Sequence, residues 1–359
     1  MFENIYKGKI VLITGDTGFK GSWLTIWLMS MGANVIGYAL APKSKRDNYE
    51  ICGLGKKINH VNGDIRDYQK LLKVFSKYKP DIAFHLAAQS LVLDSYKFPL
   101  RTYNTNVIGT VNFLEAIRNT PSVRTAINIT SDKCYENRGC IYFYREGDPL
   151  GGRDPYSSSK AASEIITSSY IHSFFSQEGS ANIASARAGN VIGGGDWAAN
   201  RIFPDCMRAL LRNRPILLRN HTSVRPWQHV LEPLGGYLLL AYYLYQNGKK
   251  YSGAWNFGPK KESIVSVKEL VLHVLKEWGS GSYICSKEMK NRMEQRVLGL
   301  DISKARRQLE WKPVLSLSQA VKLALEEYKV EDLSCSEVFR QRVRHIREYI
   351  ALSQGRRTA

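Results

Sequence analysis

Residues 9–31 constrain the fold more than any other part of the chain. Lys9-Ile10-Val11-Leu12-Ile13-Thr14 is a short β-branched run of the kind buried on both faces in a parallel sheet. Gly15-Asp16-Thr17-Gly18-Phe19-Lys20-Gly21 follows at once, and Trp23, Leu24, Trp27, Leu28 and Met31 then recur at helical spacing. Asn34–Ala39 reads as a second strand and completes a βαβ unit. Glycines at such a junction permit a tight turn, close approach of backbone to a pyrophosphate, and close packing of helix on strand. The spacing is GxxGxxG rather than GxGxxG, and three glycines alone say little. Their order between strand and helix predicts a dinucleotide-binding unit.

Further strands are expected at residues 82–86, 126–130 and 183–187, separated by helical stretches such as 107–117 and 157–175. Strands alternating with helices predict an α/β fold, a Rossmann-like doubly wound parallel sheet. Ligands of such sheets bind beyond the carboxyl ends of the strands. Gly15, Asp64, Ala87-Ala88, Ser131 and Asn190 all follow strand-like runs and are expected to line one crevice. After about Gly189 the texture changes to a glycine-rich loop and an arginine- and aromatic-rich segment. The expected division is a dinucleotide-binding domain over 1–188, to which some later elements return. Residues 189–359 then form a smaller, mostly C-terminal substrate-binding part ending in a basic helix.

Tyr156 and Lys160 are four apart and share one helix face. A lysine ammonium beside a phenol favours the phenolate, which equips an enzyme to oxidise an alcohol with a nicotinamide. Ser131-Asp132-Lys133 stands just after a buried-strand run. A lone Asp-Lys pair is usually a surface ion pair, but this placement argues for the crevice. An acid and a second basic group exceed what alcohol oxidation needs and point to an elimination.

The chain carries 51 Lys+Arg against 32 Asp+Glu, a net charge of +19. Much of the excess lies late, in Lys304-Ala305-Arg306-Arg307, residues 340–347 and Arg356-Arg357. Phe339, Val343, Ile346 and Ile350 give the 340–347 stretch a helical apolar stripe, so it reads as a solvated basic face packed on the body. Aromatic–basic interleaving and zinc-finger spacing are both missing, which argues against nucleic acid as a partner. No apolar run has spanning length, so no membrane insertion is expected. The early first strand leaves no room for a signal peptide, and six scattered cysteines fit reduced thiols in a cytoplasmic protein with no metal site.

Thr14-Gly15-x-x-Gly18-Phe19-x-Gly21, Gly63-Asp64, His85-Leu86-Ala87-Ala88 and Tyr156-x-x-x-Lys160 together resemble the extended short-chain dehydrogenase/reductase superfamily over most of the chain. Within it the pattern is similar to the 4,6-dehydratases acting on CDP-glucose. Gly18–Leu24 as GFKGSWL, Thr130–Tyr135 as TSDKCY, Asp154–Lys160 as DPYSSSK, and residues 185–197 and 224–233 carry that similarity. The resemblance implies bound NAD, contacted by Gly15, Gly18, Phe19, Gly21, Asp64, Ile65, Leu86, Ala87, Ala88, Tyr156 and Lys160. It implies a nucleotide-sugar substrate near Gln89, Asn190, Arg201, Arg219 and Arg225, whose guanidinium forks suit a diphosphate. Tyr156 would take the proton of the glucose C4 hydroxyl, Ser131 would bond the same oxygen, and Lys160 would hold the ribose. Asp132 would protonate the departing C6 hydroxyl. Where the dTDP-glucose branch has a glutamate as C5 base, this chain has Lys133, which leaves open a neutral amine or an electrostatic role.

Two departures stand out. After the second strand come Lys43, Lys45 and Arg46 and no acid, so charge alone leaves NADP open while the resemblance favours NAD. Asp16 replaces the histidine common in this branch, placing a carboxylate near a pyrophosphate. The resemblance also implies a homodimer or higher homo-oligomer, paired through residues 102–119 and 157–175. Another nucleotide-sugar dehydratase, an epimerase or a reductase of the same superfamily is the alternative enzyme reading. A non-catalytic basic scaffold is the alternative from another class.

Overall fold

The computed structural model describes residues 4–137, 142–286 and 299–355. Cys140 and the Arg356-Arg357 pair lie outside the described residues. β1 (Ile10–Thr14) is an inner strand of a seven-stranded sheet. It is flanked by β2 (Asn34–Ala39) and then β3 (Asn59–Asn62) on one side. On the other side come β4 (Ile82–His85), β5 (Thr125–Ile129), the strand Asn182–Ala188 and the strand Gly253–Phe257. Every pairing is parallel. Such strands need covering on both faces, which explains why β1, β4 and β5 are almost wholly buried.

One face is covered by α1 (Phe19–Ser30), whose Trp23 and Trp27 are fully buried, together with the helices Leu231–Asn247 and Cys335–Gly355. The other is covered by the helices Tyr68–Tyr78, Gly109–Arg118 and Pro155–Ser173. The helix expected over 107–117 is more elaborate than its apolar spacing implied. Pro99–Tyr103 continues through a π-turn, Asn104–Ile108, into Gly109–Arg118. Asn106, in that π-turn, donates to the Gln89 carbonyl and to Ser159 Oγ, so the irregularity fastens the β4 loop to the helix bearing Tyr156 and Lys160.

Beyond the sheet, the strand Val224–His229 pairs parallel with Asn190–Ile192 and antiparallel with Ile264–Ser266. This small sheet closes the side of the crevice that the β5 and Asn182–Ala188 loops open. No helix among the described residues is long and apolar enough to cross a membrane. No cluster of three His, Cys, Asp or Glu able to hold a metal occurs among them either. Cys52, Cys134, Cys206, Cys285 and Cys335 are free thiols.

Candidate active site

The glycine turn is built by contact rather than by sequence spacing alone. Gly15 has φ +78, in the left-handed region, and a Cβ there would lie 2.6 Å from the Ala87 nitrogen. A Cβ on Gly21 would lie 2.0 Å from the Gly15 carbonyl oxygen. The β1 turn, the start of α1 and the Leu86-Ala87 backbone are thus held together in a shape that only glycines allow. Gly18 is exposed at the N-cap of α1, where free backbone N–H groups favour an anion. Thr14 Oγ1 ties in the next strand end, pairing with His85 Nδ1 at 2.7 Å and accepting from Ala87 N at 3.3 Å. His85 stacks on Phe113, and burial together with Lys160 pushes its pKa down to about 3, so it is a neutral packing group.

Just after β3, Asp64 is held by Arg66 in a two-point ion pair, 2.6 Å at its shortest. Asp64 and Arg66 line a shallow cavity with Asp67, Asn104 and Ile108. The Ile65 side chain is buried against Gly109 and its carbonyl accepts from Asn112 Nδ2. Asp16 turns under β2 and its Oδ2 meets His60 Nδ1 at 2.8 Å. Burial raises this carboxyl, with His60 opposing, so the electrostatic conflict expected of a carboxylate here is reduced. Arg46 lies over the Trp197 ring, 5.2 Å from its centroid. These features fit a dinucleotide: a glycine cradle, an N-terminal anion site and a ribose-side cavity.

At the end of β5, Ser131 caps a short 3-10 turn, accepting from Lys133 N at 3.2 Å and donating to Asp132 Oδ1 at 2.9 Å. Tyr156 and Lys160 enter from the helix Pro155–Ser173, whose start is fixed by Asp154 accepting from Ser157 N at 2.9 Å. Ser131, Asp132, Tyr156 and Lys160 are all under a tenth exposed. Burial pushes the Tyr156 phenol up to about 12 while its hydrogen bond with Ser131 pulls it down. Sequence spacing predicted that Lys160 lowers this phenol. Instead Lys160 Nζ donates to the Ile129 carbonyl at 3.3 Å, and burial brings its own pKa down to about 8. Burial also raises the Asp132 carboxyl, against Lys133, Ser131, Arg225 and Lys20. A raised carboxyl is shifted toward the protonated form that a general acid requires.

The expected substrate residues divide into two groups. Asn190 is half-buried beside Gly189, where a Cβ would lie 3.1 Å from Asp132 Oδ2. Arg201 donates to Asp196 Oδ2 at 2.9 Å and to Ser90 Oγ at 3.3 Å, and its charge acts on Tyr156. Arg225 is half-buried, with its charge felt at Asp132. Arg219 sits apart, exposed, bonding Asn200 Oδ1 and Asp205 Oδ2 at 2.6 Å each. Gln89 does not present its amide to the crevice. Its Oε1 accepts from Leu91 N at 2.6 Å, and its Nε2 donates to the Leu91 carbonyl and to Thr102 Oγ1. It organises the β4 loop instead. Sequence reasoning missed Lys20 and Tyr237, which reach the same crevice from α1 and the helix Leu231–Asn247. The GFKG motif was the available signal, a lysine where a turn into a buried helix needs none.

A wholly parallel sheet with a glycine turn after β1, and a Ser/Tyr/Lys set beyond its carboxyl edge, defines an enzyme of the short-chain dehydrogenase/reductase class. The family described as GDP-mannose 4,6 dehydratase matches residues 12–324, and the chain belongs to that family. CDP-glucose 4,6-dehydratase of Salmonella typhimurium is 45% identical over 323 residues, covering 89% of this chain and 90% of that protein. CDP-paratose 2-epimerase of Salmonella typhi is 28% identical, covering 87% and 96%. Among solved structures, Thermus thermophilus UDP-glucose 4-epimerase in complex with NAD has a TM-score of 0.77 at 22% identity, covering 88% of this chain and 98% of that one. The dTDP-glucose 4,6-dehydratase of Bacillus anthracis in complex with NAD has a TM-score of 0.74 at 20% identity, covering 90% and 98%. These structural likenesses bear out the fold.

Proposed function

We propose that this chain is a lyase that converts CDP-glucose to CDP-4-keto-6-deoxyglucose with tightly held NAD. The observation that carries the reading is Asp132: a buried carboxyl with a raised pKa, 2.9 Å from Ser131 Oγ and in the same crevice as Tyr156. Simple oxidation or epimerisation at C4 has no use for such an acid. The 45% identical relative named as a CDP-glucose 4,6-dehydratase supports the same substrate.

When bound, NAD supplies reversible hydride chemistry, oxidation at C4 and reduction at C6 within one turnover. The chain's own residues do the rest. Tyr156, hydrogen-bonded to Ser131, accepts the C4 hydroxyl proton as its phenolate. Lys160 lies one helical turn on, where it holds the ribose and favours that anion once cofactor draws it from Ile129. Asp132 delivers a proton to the departing C6 oxygen. Asn190, Arg201 and Arg225 receive the diphosphate. The product is a precursor of deoxysugars for surface polysaccharide, made in the cytoplasm.

Two copies pair through residues 102–119 and 157–175, together with the adjoining residues 92–101. Leu100, Ile165, Phe98 and Ile108 are between 47% and 73% exposed there, an apolar surface that a second subunit would cover. Sedimentation showing only monomer at micromolar concentration would remove the pairing. Incubation with CDP-glucose and catalytic NAD tests the reaction. The expected result is a 4-keto-6-deoxy product with no net change in cofactor; its absence overturns the assignment.

A further inference from the structure

We propose that the buried ion pair of Glu164 and Arg187 positions the Ser131–Asp132–Lys133 turn for elimination, by fastening the residues at its two ends, Thr130 and Tyr135. The proposal rests on the dehydration reading above. It concerns positioning residues, since both members of the pair are buried and bond the flanks of the turn.

Glu164 stands one helical turn beyond Lys160 on the helix Pro155–Ser173, and Arg187 lies on the strand Asn182–Ala188, which pairs with β5. Their side chains are 2% and 3% exposed, and Arg187 Nη2 donates to Glu164 Oε2 at 2.7 Å. Each member then holds one flank of the turn. Glu164 Oε1 accepts from Oγ1 of Thr130, the residue before Ser131. Arg187 Nη1 donates to Tyr135 Oη at 2.7 Å, and its guanidinium lies 4.8 Å from that ring's centroid. Tyr135 directly follows the 3-10 turn Asp132–Cys134 and donates its own hydroxyl proton to Asn256 Oδ1 at 2.8 Å. Ser185 Oγ completes the carboxylate, donating to Oε2 at 2.7 Å.

Stability does not explain a charged pair at this place. Two buried charges lose their hydration, and well-packed apolar residues of similar volume are often as stabilising or more so. Burial opposes the Glu164 charge, yet Arg187 with the Thr130 and Ser185 hydroxyls holds its carboxyl below the ordinary value. An apolar pair could not hold two hydroxyls, five residues apart, at fixed distances. Main-chain bonds reach the same flanks, from Thr130 N to the Ala186 carbonyl and from Gly151 N to the Cys134 carbonyl, at 2.9 Å each. A turn held only there can still rotate about the line joining its flanks. Two side-chain ties to one rigid pair remove that rotation.

Asp132 depends on this orientation more than Tyr156 does. Its Oδ1 accepts from Ser131 Oγ at 2.9 Å, within the turn itself, so the turn carries both groups. Tyr156 and Lys160 ride on the helix Pro155–Ser173, whose start Asp154 fixes independently. Proton delivery to the departing C6 oxygen needs turn and helix in one alignment, and a displacement of about 1 Å costs about 10²-fold. Oxidation at C4 draws mainly on the helix.

The test uses holoenzyme carrying Thr130→Val, Tyr135→Phe or both, with Thr130→Ser as the conservative control. Each substitution leaves the ion pair whole, so no charge is stranded, and thermal melts check folding. Kinetics with CDP-glucose gives product formation and KM, and absorbance during turnover gives the fraction of cofactor in the reduced form. Each single variant is expected to form product about tenfold more slowly and the double variant about 10²-fold, with KM unchanged. Reduced nicotinamide should accumulate during turnover, because oxidation outruns elimination, and Thr130→Ser should match wild type. Wild-type turnover in the double variant overturns the proposal; if that variant does not fold, wild-type turnover in both single variants does so. Slower product formation without accumulated reduced nicotinamide also overturns it, as does a Thr130→Ser protein as slow as Thr130→Val. Wild type that neither reduces cofactor nor forms product with CDP-glucose instead removes the dehydration reading.

Discussion

Replacing Glu232 with glutamine should make the protein more stable at mildly alkaline pH, although it removes a charge from three hydrogen bonds. Glu232 lies in the first turn of the helix Leu231–Asn247 and is 2% exposed. Its Oε1 accepts from Val314 N at 2.8 Å and Leu315 N at 2.7 Å, and its Oε2 accepts from Tyr349 Oη at 2.9 Å. Burial nonetheless pushes the carboxyl from 4.5 to about 7, the three donors only partly offsetting it. The folded state therefore holds this proton more tightly than the unfolded chain. Stability from the group is fully present below the unfolded pKa and is lost as pH rises through the folded one. A shift of this size corresponds to about 3 kcal/mol, lost between about pH 5 and pH 8. Glutamine keeps an acceptor for both backbone N–H groups and does not titrate, and the Tyr349 hydroxyl can rotate to accept from its amide. Urea unfolding at a series of pH values should show the two proteins near parity at about pH 5 and Glu232→Gln ahead by about 3 kcal/mol at about pH 8. Parallel stability curves, or a variant weaker at the higher pH, would refute the reasoning.

Three further outcomes follow from the geometry. Tyr156→Phe should lower turnover by about 10²–10⁴-fold with CDP-glucose affinity little changed, measured by steady-state kinetics beside calorimetric titration. Arg187→Met should destabilise by about 3–5 kcal/mol in urea, because Arg187 Nη2 donates to Glu164 Oε2 at 2.7 Å and its loss strands a buried carboxylate. Gly21→Ala should weaken NAD binding by about tenfold or more in a fluorescence titration, since a Cβ 2.0 Å from the Gly15 carbonyl forces the phosphate turn apart.

The sheet was legible because its strands are continuous β-branched runs, a pattern with few competing interpretations. Asn34–Ala39 is the element the spacing predicted, and the others differ by a residue at their ends. Ser131, Asp132, Tyr156 and Lys160 were legible for a related reason: each follows or caps an element whose end the sequence marks. What sequence could not supply was the destination of each polar group. Gln89 follows β4 and looks available, yet its amide is consumed by Leu91 and Thr102. Lys160 stands four residues from Tyr156 as expected, yet its ammonium goes to Ile129. Lys20 is an unexpected lysine in the first turn of α1, but only the fold brings Tyr237 to it from 217 positions away.

The basic C-terminal helix shows the same limit and explains part of the charge excess. Its apolar spacing implied a solvated cationic face, but Arg342 is wholly buried. Arg342 donates from Nε to Asn48 Oδ1 at 3.0 Å and from Nη2 to the Glu327 carbonyl at 2.7 Å, and it packs over Trp23. Glu327 in turn accepts from Gly194 N at 2.6 Å and meets His229 and His345 at 3.2 Å each. Those neighbours hold its carboxyl well below the usual range despite burial. Tyr328 Oη donates to the Asp196 carbonyl at 2.5 Å, and Asp196 holds Arg201. The glycine-rich loop after Asn190–Ile192 is thus fixed from behind by the helices Leu317–Tyr328 and Cys335–Gly355, and Arg201 is fixed through that loop. A loop of three consecutive glycines has no rigidity of its own. A buried charge network is costly unless every member is paired, and here nearly every member is. The helix that sequence reads as a basic surface is, on its inner face, the support for one wall of the active site.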